Sequence, residues 1–404
     1  MPPTLDPESL LLSLLRFDSV SSRSNVAITE HISELLVRLG FDLTRCDYVD
    51  AAGTPKANLI ATRFPGPGWP PSTSDPADAP RHPHTPRHPH DKGGVAYFAH
   101  TDVVPVEQWH GPGGPFDPVI EGDRIYGRGS CDMKGSLVAM IVAASRIDPQ
   151  DQIAPIRIVC TADEEVGFAG AKHFVANSPD YRQIVREQPL SIIGEPTRCR
   201  VVHAHKGIGA FRVSSQGRAA HSSSREGINA NLAMVPMLVE LLRLCELSES
   251  DPALRDFRFD PPTITWTFGV SDHCTALNIT PGRSDAWASY RTMPGVDVEH
   301  LVSAAQRKAN ELGLTFTRKT GGAPLWVDPD NAAIQALCQL AGCDRPITVG
   351  YATDGGEFTE LANRVVWGPG DIAQAHTSDE WIDRDQLAKG IELYHRALTQ
   401  WCLS

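Results

Sequence analysis

Three short acidic and imidazole segments each follow an apolar, strand-like run. They are His100-Thr101-Asp102 after 94–99 (GVAYFA), Asp163-Glu164-Glu165 after 156–162 (IRIVCTA), and Glu195-Pro196-Thr197 after 190–194 (LSIIG). Ligands of an open α/β sheet bind beyond the carboxyl ends of its strands, so loops from separate strands can bring these side chains to one point. Carboxylates gathered in a partly desolvated crevice raise one another's pKa, and divalent cations relieve that repulsion. Imidazole with carboxylate suits zinc or a first-row neighbour. The nine cysteines contain no CxxC pair, which points away from a closed thiolate site and toward an open, catalytic one.

A metal-bound imidazole usually passes its second N–H to a carboxylate, and Asp102 stands where an extended chain would let it serve His100. By itself the pair reads more readily as a capped loop. Glu164 and Glu165 end a strand, where side chains alternate in direction. One could bind metal while the other faces the reacting water, the division that metal-assisted hydrolysis requires. In isolation, adjacent carboxylates are ordinary surface charges. The segment 127–135 (GRGSCDMKG) is a Gly-flanked turn opening an apolar helix at 136–146. Helix N-termini bind anions, but this turn lacks GxxxxGK[ST] spacing, and Asp132 would repel phosphate, so Asp132 reads as a metal ligand. His376, in the Gly/Pro-rich loop 368–377, is the candidate last ligand, although a lone histidine is more often a surface or core residue.

These segments need a scaffold. Residues 7–39 carry helical spacing up to Gly40, and 58–64 reads as a strand. Nine prolines in 65–90, with the near-repeat RHPHTPRHPH, deny that stretch helix and sheet, so 65–92 is expected to be an irregular surface insertion. Its histidines at 82, 84, 88 and 90 could suggest a metal tail, but a solvated low-complexity loop is the simpler reading. From 203 to 320 the order becomes β-α-β-β-α-β, the split-βαβ pattern of a small sandwich, and helix–strand alternation returns after 321. The expected architecture is α/β: a large mixed-sheet catalytic domain (1–200 and 321–404) interrupted by a smaller, ferredoxin-like α+β domain at 201–320.

A chain of 404 residues fits two domains. Its 37 basic and 49 acidic residues give a net charge of −12, a poor basis for binding nucleic acid or anionic membrane. No stretch approaches the ~20 apolar residues of a membrane helix, and the N-terminus lacks the basic region of a secretory signal. An odd number of scattered cysteines suits a reducing cytoplasm.

Taken together, the segments resemble the M20 family of co-catalytic metallohydrolases. The matching pieces are His100-Thr101-Asp102-Val103-Val104-Pro105, Tyr126-Gly127-Arg128-Gly129 leading to Asp132-Met133-Lys134-Gly135, and Thr161-Ala162-Asp163-Glu164-Glu165. They continue with Gly194-Glu195-Pro196-Thr197, GRAAH at 217–221 and the loop 368–380, in the family's order. Within the family, GEPT followed by His205-Lys206-Gly207, and the 368–381 stretch GPGDIAQAHTSDEW, are most similar to acetylornithine deacetylases, with desuccinylases of lysine biosynthesis next.

The resemblance implies two divalent ions, commonly zinc, with cobalt as the alternative. His100 and Glu195 would hold one, Glu165 and His376 the other, and Asp132 would bridge them. Asp102 would orient His100, and Glu164 would be the general base and acid. The implied reaction is hydrolysis of a linear amide in a small-molecule N-acyl amino acid, with N-acetyl-L-ornithine as leading substrate. A desuccinylase or a dipeptidase/carboxypeptidase is the alternative. The resemblance also makes the inserted domain a lid and homodimerisation element. His221 would support the oxyanion, often across the dimer, and Asn278 and Arg291 would contact substrate. A Gly loop at Gly355 and Gly356 would bind a substrate carboxylate through backbone N–H groups. The chain departs from the family pattern at Ser289-Tyr290-Arg291, where an Asp commonly precedes the Arg by two, and Glu357 adds a negative charge beside the Gly loop.

Overall fold

The structure, a computed structural model, describes residues 5–66, 93–273 and 276–403. The Pro/His-rich insertion expected at 65–92 therefore lies outside the described residues from position 67 onward. Two compact units are present. One comprises Met1–Ala204, Val327–Ile347 and Thr353–Ser404, the other His205–Trp326 and Thr348–Ala352.

The larger unit is α/β. Its sheet runs Asp42–Arg45, Leu59–Arg63, Ile156–Thr161, Val95–His100, Leu190–Ile193, Arg364–Val366, Val202–His205. Val95–His100 and Ile156–Thr161 are buried at every position, which explains why they are apolar apart from Arg157 and the terminal His100 and Thr161: both faces are covered. Val95–His100 is parallel to both neighbours, and Arg364–Val366 is parallel to Leu190–Ile193. Leu59–Arg63 and Asp42–Arg45 are antiparallel additions at one side. Helix Gly135–Ser145 is buried all round and packs on the C-terminal helix Arg384–Cys402.

The helical spacing across 7–39 does not form one helix. Helices Pro7–Leu15 and Val26–Arg38 are separated by a segment that docks on the sheet edge. There Ser19 Oγ donates to the Thr101 carbonyl at 2.7 Å and Val20 bridges Val103. Hydrogen bonds to the strand end replace helical ones, and periodicity along one segment carries no sign of that competition.

The smaller unit is a four-stranded antiparallel sheet ordered Thr267–Ser271, Arg283–Tyr290, Ile208–Gln216, Thr315–Gly322. Helices Ala230–Ser250 and Glu299–Glu311 complete the β-α-β-β-α-β order. The strand before Arg283–Tyr290 begins at Thr267, although the apolar residues ahead of it at 264 and 266 continue its spacing. Its leading residues serve other partners: the Thr263 carbonyl accepts from Lys206 Nζ at 2.6 Å, and the Ile264 carbonyl from the Arg291 N–H at 2.7 Å.

Candidate active site

Parallel pairing puts the carboxyl ends of three neighbouring strands on one edge. His100 lies level with Thr161, and Phe98 with Ile193. His100 ends its strand, Glu164 and Glu165 follow Thr161 within a few residues, and Glu195 follows Ile193. Arg364–Val366 leads toward His376 from the same edge.

The five proposed ligands, scattered over the sequence, therefore meet. His100 Nε2 is 3.0 Å from Asp132 Oδ1 and 3.8 Å from Glu195 Oε1. His376 Nε2 is 3.0 Å from Glu165 Oε2 and 3.4 Å from Asp132 Oδ2. Asp132 thus turns one oxygen toward each imidazole. Ligand atoms of His100, Asp132 and Glu165 all lie within 4.8 Å of one another.

Local backbone makes this possible. Asp132 sits in the wide turn Ser130–Lys134, entered through Gly129 at φ +86°. A Cβ on Gly129 would meet Val103 Cγ1 at 2.8 Å, so only glycine fits the approach. His100 Nδ1 donates to the carbonyl oxygen of Asp102 at 2.8 Å, which turns Nε2 toward Asp132. The Asp102 carboxylate, expected to orient the ring, is 3.8 Å from Nδ1. Its oxygens accept instead from Ser21 Oγ at 2.7 Å, Glu164 N at 3.2 Å and Glu165 N at 3.4 Å. Asp102 therefore orients His100 through its main chain and holds the Glu164–Glu165 backbone through its side chain.

Sequence reading missed the support beneath that backbone. Lys56, 1% exposed, donates to Asp163 Oδ1 at 2.6 Å and to the Ser21 carbonyl at 2.6 Å. Tyr48 hydroxyl donates to Asp163 Oδ2 at 2.7 Å. Asp163 itself sits at φ +56°, the bend that turns Glu164 into the site. A lysine 107 residues away in sequence leaves no local signal of this role.

Glu164 and Glu165 differ in contacts. The Glu165 carboxylate is tied to His376. Among the described residues nothing hydrogen-bonds the Glu164 carboxyl, although it is 8% exposed. One neighbour's carboxylate is engaged by an imidazole; the other's is not.

The electrostatics of the pocket suit a positive charge. Burial, then the charge of Glu195, pushes the Glu164 carboxyl well above its usual range. Burial, then Asp132, raises Glu195 and Glu165 in the same way. Hydrogen bonds to Asp132 and Glu165 raise His376 to about 10. Burial opposes the charged form of His100, but its hydrogen bond to Asp132 and the charges of Glu195 and Asp132 outweigh it and leave His100 well above the ordinary value. Imidazole and carboxylate donors in a buried, electron-rich pocket fit divalent cations. Metal entry must displace protons held by these groups. Binding is therefore expected to release protons near neutral pH, and affinity to rise as pH rises. Calorimetry in buffers of different ionisation enthalpy checks this; a buffer-independent heat would contradict it.

His221, Asn278 and Arg291 belong to the smaller unit. His221 bridges Ile279, and the Ser222 N–H donates to the Asn278 carbonyl at 2.9 Å, so these two segments run side by side. His221 Nδ1 is 2.7 Å from Ser223 Oγ. Arg291 is half-buried, and burial lowers its pKa. In the larger unit, Gly355 and Gly356 lie in the turn Asp354–Gly356. The Gly355 N–H donates to Thr353 Oγ1 at 3.0 Å and the Gly356 N–H to the Thr353 carbonyl at 3.1 Å. The turn engages both amides expected to face a substrate carboxylate.

The fold and its edge of converging carboxylates and imidazoles define a metallohydrolase, and comparison with known proteins specifies which. Residues 96–400 match Peptidase family M20/M25/M40, and the chain belongs to that family. It is a metal-dependent amidohydrolase acting on linear amides. An acetylornithine deacetylase from Myxococcus xanthus is 28% identical over 403 residues, covering 97% of this chain and 96% of the relative. Another, from Pectobacterium atrosepticum, is 31% identical over 322 residues, covering 77% and 81%. An M20 family metallo-carboxypeptidase from Sulfolobus solfataricus shares the fold, with a TM-score of 0.70 at 17% identity, covering 98% of this chain and 99% of the other.

Proposed function

We propose that the protein is a two-zinc deacylase of N-acyl amino acids, with N-acetyl-L-ornithine as substrate and ornithine and acetate as products, a step of arginine biosynthesis. The observation that carries this reading is the split between Glu165, tied to His376, and Glu164, whose carboxyl is left without a partner among the described residues. His100 with Glu195, and Glu165 with His376, would hold the two ions, with Asp132 between them. The ions would polarise the amide carbonyl and acidify a water. Glu164 takes the water's proton and returns it to the leaving amine. Asp102 keeps both the His100 ring and the Glu164 backbone in register. The names of the sequence relatives support the choice of substrate.

Purified, zinc-loaded protein should release amine from N-acetyl-L-ornithine faster than from N-succinyl-diaminopimelate or simple dipeptides. A preference for either alternative would replace the substrate while leaving the site reading intact.

In the inserted unit, Leu232, Val235, Val239 and Leu242 form an exposed stripe on helix Ala230–Ser250, opposite the buried Met234, Met237 and Leu241. A helix apolar on both faces wants a second partner. A second copy of this chain is the occupant we propose, making this unit the dimerisation element, as the family resemblance implies. Val239→Glu should convert a dimer to a monomer in light scattering. A wild-type monomer would refute the assignment. A cytoplasmic location is consistent with the eight described cysteines, none of which is in a disulfide.

A further inference from the structure

We propose that Glu380 and Arg128 are positioning residues that set metal affinity by locking the Asp132 turn to the loop carrying His376. The inference rests on the reading of Asp132 and His376 as metal ligands.

Glu380 is fully buried and Arg128 is 2% exposed. The Glu380 carboxylate accepts four hydrogen bonds, two at each oxygen. Oε1 takes the N–H groups of Cys131 and Asp132, each at 2.9 Å. Oε2 takes the Gly129 N–H at 2.9 Å and Arg128 Nη1 at 2.6 Å. Three of the four donors are thus main-chain groups of the turn that presents Asp132.

Glu380 stands four residues after His376. The second arm of the Arg128 fork, Nη2, donates to the Thr377 carbonyl at 2.9 Å, one residue beyond His376. One ion pair therefore fastens two ligand-bearing segments that are some 250 positions apart in sequence. The Glu380 carboxylate is filled by three N–H groups of the turn and by Arg128 Nη1, and Arg128 Nη2 is turned onto the Thr377 carbonyl, so the pair faces the two segments. Their effect runs through Asp132 and His376.

The chemistry is specific to a carboxylate facing a guanidinium. Glutamine would set an amide NH2 against two donors at one end of the same pocket. Lysine would keep the charge of Arg128 but could not span Glu380 and Thr377 with a planar fork.

The test compares Glu380→Gln and Arg128→Lys with wild type. Zn2+ dissociation constants are measured by competition with a chelating dye, and absorption spectra are recorded on the Co2+-loaded proteins. Both variants are expected to bind metal about 10–100-fold more weakly, with Glu380→Gln the more affected. At saturating metal, their Co2+ bands should shift, and kcat should fall while KM stays near that of wild type. Folded variants with wild-type affinity and an unchanged Co2+ spectrum would overturn the proposal. Should Glu380→Gln fail to fold, Arg128→Lys decides by the same criteria. A wild-type protein that binds no divalent metal would overturn the ligand reading and this inference with it.

Discussion

Glu164→Gln is expected to keep its metal and lose most of its turnover. Glutamine preserves the shape of the side chain and removes only the proton acceptor. No hydrogen bond among the described residues ends on the Glu164 carboxyl, so the substitution breaks no network that holds a ligand. The backbone N–H of Glu164, which Asp102 holds at 3.2 Å, is untouched. General base catalysis contributes about 10²–10⁴-fold, and kcat should fall within that range. Metal analysis beside single-turnover rates measures it. Loss of metal from Glu164→Gln, with full metal in Glu165→Gln, would mean that the two neighbours have the opposite roles.

Asp132→Asn should have the largest effect on metal content. Asp132 Oδ1 faces His100 and Oδ2 faces His376, so one carboxylate serves both halves of the pocket. Asparagine offers a single oxygen and no charge, and its NH2 end would face an imidazole nitrogen that must ligate. Both ions should be lost, and turnover should not return in excess zinc. Glu165→Gln removes a contact to His376 alone. It should lose one ion and recover partly as zinc is raised. Equal stoichiometry in the two variants would show that Asp132 does not bridge.

Strand ends were legible because chemistry changes abruptly there. In a buried strand such as Val95–His100 the apolar run continues up to His100, and that change of chemistry marks the edge where the site begins. That is why His100, Glu164, Glu165 and Glu195 could be singled out before any geometry was known. The alternation of helices and strands in the larger unit was legible for the same reason, as was the β-α-β-β-α-β order of the smaller one. Each of these is a property of a short window of chain.

Other features depend on groups far apart in sequence. The apolar spacing of 7–39 concealed a break, because the bonds of Ser19 and Ser21 to the strand end at 101–103 replace helical ones. The part of Asp102 that serves His100 is its carbonyl, since the ring reaches the main chain at 2.8 Å while the carboxylate turns to Ser21 and the following loop. Gly355 and Gly356 satisfy their amides inside their own turn.

By itself, then, the sequence determined the residue types of the site, the buried strands that end at it and the order of elements in the smaller unit. Side-chain class and periodicity are local, and each residue carries its own record of them. Tertiary structure alone decided that Asp132 lies between two imidazoles, and that Lys56 and Glu380 hold the loops on which the candidate ligands and base ride. The physical reason is that a buried charge is stable only where opposite charge and hydrogen-bond donors close around it. For Lys56 and Glu380 the hydrogen-bond partners come from segments about 33–250 residues away, which no short window of the chain contains.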